Sequence, residues 1–273
     1  MYYQKIYRCR KTVWVEKYQR RVYAKGEKRS ERKAPTPEQK KKENDLQAKR
    51  LLARKLEANF GEDDYFTTLT YKGDAPNQEE AKRRLDKFIR GMREEYRKLG
   101  SGELKYIVTT EWQGKRIHHH IIVNGLPETP KLLKKHWPHG RPDMKLLDES
   151  GDYEALAEYL IKETEKTFRD PESTRKQRYT CSRNLINPEP ERKKIKAKSF
   201  RQTPKPPKGY KIVEGTLVSG VSEVSGYLYQ YYKLIKTDSV EDTDGDKVLP
   251  GDNKKKKPPE RRCRKDAGTD TDR

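Results

Sequence analysis

The sequence predicts an α+β fold, a central antiparallel β-sheet flanked by helices. Three observations lead there. Between residues 61 and 185, runs of β-branched and aromatic residues alternate with segments of helical period. Two of those runs, 104–112 and 117–123, are separated by a few residues that include Gly114, so they pair as an antiparallel hairpin. The helical segments each carry one apolar stripe, which needs a sheet face to cover it.

The elements follow in order. Residues 1–35 hold a basic, partly alternating stretch, Lys11-Thr12-Val13-Trp14-Val15-Glu16, read as a short strand or hairpin and then a solvated connector. Thr36-Pro37-Glu38-Gln39 offers an N-cap, a proline at the first helical position and a capping-box glutamine, so a helix runs to Asn59. Residues 65–71 form a strand, and 78–99 a helix with Ala81, Leu85, Phe88, Ile89 and Met92 on one side. After the hairpin come a helix at 129–137, a strand near 144–147, a helix at 152–168 and a strand at 178–182. The chain then turns Pro- and Lys-rich. It recovers at 210–218 and 224–235 as a late strand pair placed to add to the sheet. The expected organisation is therefore a basic N-terminal unit (1–60), a core (61–185), a connector with the strand pair (186–236) and a disordered charged tail (237–273). There are no internal repeats.

Composition narrows the function. The 273 residues carry 64 Lys+Arg against 43 Asp+Glu, a formal net charge of +21, which calls for a polyanionic partner. Seventeen tyrosines favour nucleic acid over an anionic membrane, because aromatic faces stack on unpaired bases. No apolar run approaches a membrane span, and the basic N-terminus lacks the apolar core of a signal peptide. Cys9, Cys181 and Cys263 are far apart and lack CxxC spacing, which fits reduced thiols in a cytoplasmic protein.

The most informative run is Arg116-Ile117-His118-His119-His120-Ile121-Ile122-Val123. On a strand, His118 and His120 share one face, while His119 points the other way with Ile117, Ile121 and Val123. Two imidazoles side by side are half of a metal site; the bland alternative is a histidine-rich surface strand. If Gly114-Lys115 make a two-residue turn, Glu111 falls opposite His118 and joins that face. A slip of one residue would send Glu111 away, to the role of a solvent-facing carboxylate.

In the helix at 152–168, Tyr153, Leu156, Ala157, Leu160, Ile161 and Phe168 form one stripe. Tyr159 lies roughly 140° from its centre, so it is not a core tyrosine, and Lys162 shares its face. A phenol near a cation can serve as a nucleophile if its ordinary pKa of ~10 is lowered or its phenolate is stabilised. An exposed tyrosine beside an ordinary surface lysine is the alternative, and spacing alone does not say whether this face looks toward the histidines.

Taken together, these motifs resemble those of the HUH endonuclease superfamily. Arg116-to-Val123 is similar to its His-hydrophobe-His motif. Phe66-Thr67-Thr68-Leu69-Thr70-Tyr71 resembles the first motif of its rolling-circle replication initiators, and Tyr159-Leu160-Ile161-Lys162 their Tyr-x-x-Lys motif. The order also agrees, over roughly residues 60–185. His119 departs from the aliphatic middle residue; as it faces away from the metal, a packing difference is expected rather than loss of activity.

The resemblance implies an HUH/RRM-like fold of the single-tyrosine type. It implies metal ligands Glu111, His118 and His120, the divalent ion being Mg2+ or Mn2+, and catalytic residues Tyr159 and Lys162. The expected activity is nicking and strand transfer on single-stranded or origin-hairpin DNA through a 5′-phosphotyrosyl link, starting rolling-circle replication of a plasmid, phage or related element. A host polymerase and helicase are implied partners, since GxxxxGK[ST] is absent from the chain. A relaxase or transposase of the same chemistry is the neighbouring reading. A non-catalytic DNA-binding module of the same fold is the rival from another class. A zinc hydrolase is disfavoured because H-E-x-x-H is absent.

Overall fold

The computed structural model describes residues 1–19, 35–112, 116–169, 177–222 and 226–237. The tail expected to be disordered and the turn at 113–115 lie outside these residues. Residues 1–237 cluster as one compact unit.

The chain begins with a hairpin of β1 (Tyr2–Arg8) and β2 (Thr12–Tyr18), followed by α1 (Pro37–Asn59). Thr36 caps α1 as its sequence requires: its side chain accepts from Gln39 N–H, and the Gln39 side chain accepts from Thr36 N–H. Next come β3 (Tyr65–Leu69), α2 (Gln78–Leu99), β4 (Tyr106–Glu111), β5 (His118–Val123), α3 (Thr129–His136) and β6 (Asp143–Leu146). Asn77 caps the start of α2, and Gly100 ends it at φ 66°, a left-handed position that favours glycine. The helix expected over 152–168 is two, α4 (Glu154–Glu163) and α5 (Glu165–Arg169). The break is at Thr164, whose hydroxyl donates back to the Leu160 carbonyl at 2.8 Å. The remainder is β7 (Thr180–Cys181), β8 (Glu191–Ile195), β9 (Tyr210–Ile212), β10 (Val218–Val221) and β11 (Leu228–Lys236). β8 lies in the Pro/Lys-rich connector and went unforeseen.

These elements form an α+β structure of two antiparallel sheets. The core sheet has the order β6-β3-β5-β4-β7. Helices α2 and α3 cover one face, burying Phe88, Met92, Leu133 and Trp137 against Val108 and Ile121. Helices α1 and α4 cover the other, burying Leu52, Leu56, Leu160 and Ile161 against Ile107 and Ile122. Coverage of both faces explains why β4 and β5 are apolar almost throughout instead of alternating.

The late strands do not extend this sheet. β10, β11 and β9 join the N-terminal hairpin and β8 in a second sheet, with path β10-β11-β2-β1-β8 and β9 pairing β11. Tyr7, Trp14 and Tyr231 of that sheet pack in the same cluster as α1 and α4, so the two helices lie between the sheets. No helix among the described residues is long and apolar enough to cross a membrane.

Candidate active site

The site begins with the pairing of β4 and β5. Their register sets Glu111 opposite His118, Thr110 opposite His119 and Thr109 opposite His120, the alignment expected for a tight turn between the strands. The pleat sends Glu111, His118 and His120 to the face toward α1 and α4. His119 goes to the α2 face, wholly buried, with Nε2 2.8 Å from the Tyr71 hydroxyl and Nδ1 2.8 Å from the Thr110 hydroxyl. Its departure from an aliphatic residue is thus a hydrogen-bonded one, not merely a packing difference.

On the site face, one ligand atom from each of Glu111, His118 and His120 falls within 4.8 Å of the others. His118 Nε2 is 3.2 Å from Glu111 Oε2 and 3.1 Å from His120 Nε2. The outer nitrogens of both rings are engaged elsewhere. His118 Nδ1 lies 2.9 Å from the Arg116 carbonyl, which can only accept, so this nitrogen carries the proton and the neutral ring presents Nε2 as a lone pair. His120 Nδ1 lies 3.1 Å from the Thr68 hydroxyl. Electron-pair donors facing one another require a cation among them. A divalent metal fits this set of two imidazoles and a carboxylate, whose backing contacts orient the ligands.

Helix α4 adds the tyrosine. The Tyr159 hydroxyl sits 3.3 Å from His120 Nε2, and its side chain is 40% exposed, so the face opposite the helix's core stripe does turn toward the histidines. Burial, and after it the carboxylates of Glu163 and Glu111, raise the Tyr159 phenol above its ordinary value. The surrounding side chains therefore do not by themselves ease its ionisation. Lys162 is exposed one turn further along, and among the described contacts none joins it to Tyr159.

Three features escaped the reading of the sequence. Thr68 reaches His120, and Phe66 stacks on the His120 ring with centroids 5.6 Å apart and planes at 15°. Phe66 also meets Tyr159 edge to face at 6.4 Å. The register of β3 with β6 puts exposed Asp143 and Lys145 beside Thr68 and Phe66 on the same face. Alternation along β3 already groups Phe66 with Thr68, but their place next to His120 depends on the β3–β5 pairing, a contact across 52 residues.

Residues 64–168 match a family model of replication-associated proteins of the ORF2 type, a span that includes β3, the histidine hairpin and the tyrosine helix. The match bears out the resemblance to rolling-circle replication proteins and supports a role in replication initiation. No curated protein and no solved structure matches the chain.

Proposed function

We propose that this protein is a metal-dependent, site-specific endonuclease and strand transferase acting on single-stranded or hairpin DNA, which starts rolling-circle replication of a plasmid, phage or related mobile element. The observation that carries the reading is the Tyr159 hydroxyl lying 3.3 Å from His120 Nε2, where Glu111 and His118 converge. The phenol is the nucleophile, and the three ligands mark where a scissile phosphate would be held.

Glu111, His118 and His120 would hold Mg2+ or Mn2+. Once bound, the ion would supply Lewis-acid polarisation of the phosphate and neutralise developing charge. Thr68 and the Arg116 carbonyl keep the two imidazoles turned inward, and Phe66 fixes the plane of His120. Tyr159 Oη attacks phosphorus, so the Oη–P bond forms as the P–O3′ bond breaks. The phenolic proton departs, the leaving 3′ oxygen takes up a proton, and the products are a 5′-phosphotyrosyl end and a free 3′-OH. That linkage conserves the phosphodiester's energy, so a later hydroxyl can rejoin the strand without ATP. Lys162, on the next turn of α4, would stabilise the phenolate or the phosphate. A host polymerase would extend the 3′-OH, with a host helicase opening the duplex ahead.

Mass spectrometry of a nuclease-trimmed adduct tests this, using origin-strand DNA with Mn2+ and comparing wild type, Tyr159→Phe and Tyr153→Phe. The expected result is a nucleotide on Tyr159 in wild type and in Tyr153→Phe, and none in Tyr159→Phe. Cleavage persisting in Tyr159→Phe without an adduct would make water the nucleophile and overturn the proposal.

A further inference from the structure

We propose that the second sheet carries a separate binding surface for unpaired nucleic acid, built on three tyrosines from three neighbouring strands. The registers place Lys194, Tyr3, Tyr18, Tyr229 and Gly220 side by side across β8, β1, β2, β11 and β10. Opposed residues project from the same face, so the tyrosines form one row with a lysine at its edge. In the next row on that face, Lys5 stands opposite Arg192.

The row is aromatic, cationic and partly open. The Tyr3 and Tyr18 rings stack with centroids 5.8 Å apart at 20°. Lys5 Nζ stands 5.3 Å from the centre of the Tyr18 ring. Tyr229 is 37% exposed and lies against Gly220, where an added Cβ would come within 3.3 Å of the ring. Any side chain at 220 would push the ring aside. Further along this face Tyr7, Trp14 and Tyr231 are buried, with Arg54 and Arg50 of α1 stacked 3.9 Å over Tyr7 and Tyr231. Aromatic exposure thus rises away from the helix contact. Arg192 and Lys194 on the edge strand β8 are both exposed.

The occupant follows from that chemistry. Rings flanked by Lys and Arg accept bases by stacking and phosphates by charge, whatever the sequence, whereas paired bases keep their faces hidden in the duplex. Glu16, the carboxylate on these rows, is already neutralised by Arg54 at 3.1 Å and Lys5 at 3.9 Å, so it does not oppose a phosphate. The ligand is single-stranded DNA outside the nick itself. Its identity as the nicked strand rests on the proposed function, while the surface does not.

Fluorescence anisotropy with oligo(dT), on the full chain, tests the surface. Tyr3→Leu, Tyr18→Leu and Tyr229→Leu keep apolar burial but remove the stacking face. Single-strand affinity is expected to fall about tenfold per tyrosine, with the salt slope unchanged because no cation is lost. Photocrosslinking of wild type to iodouracil DNA should label peptides containing Tyr18 or Tyr229, which keeps the test valid if a variant misfolds. Unchanged oligo(dT) affinity with no crosslink in the row would overturn the proposal. So would an equal loss on blunt duplex, or variants that differ only in self-association, since a duplex or a second copy would then be the occupant. Adduct formation is followed in the same samples. Oligo(dT) binding through the row without any Tyr159 adduct would sink the proposed function and leave this surface standing.

Discussion

Thr68 acts through one atom, its hydroxyl 3.1 Å from His120 Nδ1. Contacts of this kind hold a ligand ring in place, and their removal typically costs about 10–100-fold in metal affinity. Thr68→Val is nearly isosteric, so Mn2+ affinity measured by calorimetry should drop by about that factor while the melting temperature changes little. His119 gives the opposite pattern, since it lies on the other face and bonds the Tyr71 and Thr110 hydroxyls. His119→Leu orphans both buried partners and should cost about 1–3 kcal/mol of stability, read by urea denaturation, with Mn2+ affinity unchanged in the folded fraction. Loss of metal affinity in His119→Leu would show that the faces are assigned the wrong way round.

Among elements, the placement of α4 depends on a charge buried in β11. The Lys233 side chain is fully buried, with Nζ 2.9 Å from Glu154 Oε2, 3.5 Å from Glu57 Oε1 and in contact with Asp152. It ties the end of α1 and the start of the tyrosine helix to the second sheet. Glu57, held also by Thr12 and by Trp14 Nε1 at 2.5 Å, is pushed up to about 7 by burial, against the lowering pull of Lys233. Between an ordinary carboxylate pKa and 7 the folded chain therefore holds a proton that the unfolded chain has released. Glu57's contribution to stability then falls as pH rises through that window. Glu57→Gln should flatten the stability profile from pH 5 to 7. Lys233→Met leaves three carboxylates without their cation and should destabilise by about 3–5 kcal/mol, most at neutral pH. Thermal melts across pH 4.5–8 on both variants check this; an unchanged profile in Glu57→Gln would mean that another group titrates.

For the whole molecule, the charge is unevenly shared. Residues 238–273 hold ten Lys+Arg and ten Asp+Glu, so the net +21 resides in the preceding chain. Phosphate contacts set the salt dependence of binding. Deleting 238–273 should leave the slope of log affinity against log salt within about one unit of wild type, with the nick position unchanged. A slope that falls by several units would identify the basic block at 254–265 as a phosphate contact, and a shifted nick would show that the tail reads sequence.

Short-range patterning alone determined much of this protein. The capping box at Thr36, the stripe on α2, the shared face of His118 and His120, and the pairing of Glu111 with His118 all follow from chain periodicity or a turn of few residues. Such features are legible because the groups involved are covalent neighbours, and only one periodicity satisfies both backbone and burial. Tertiary structure decided the rest. Thr68 meets His120 across 52 residues, Tyr159 turns to it across 39, and Tyr229 lines up with Tyr18 across about 210. Strand order among distant segments leaves no trace in local spacing, because a strand of given alternation can pair at either edge of either sheet. The choice was made by packing. Two helices with apolar faces needed sheets on both sides, and the buried lysine of the last strand needed the carboxylates of both helices.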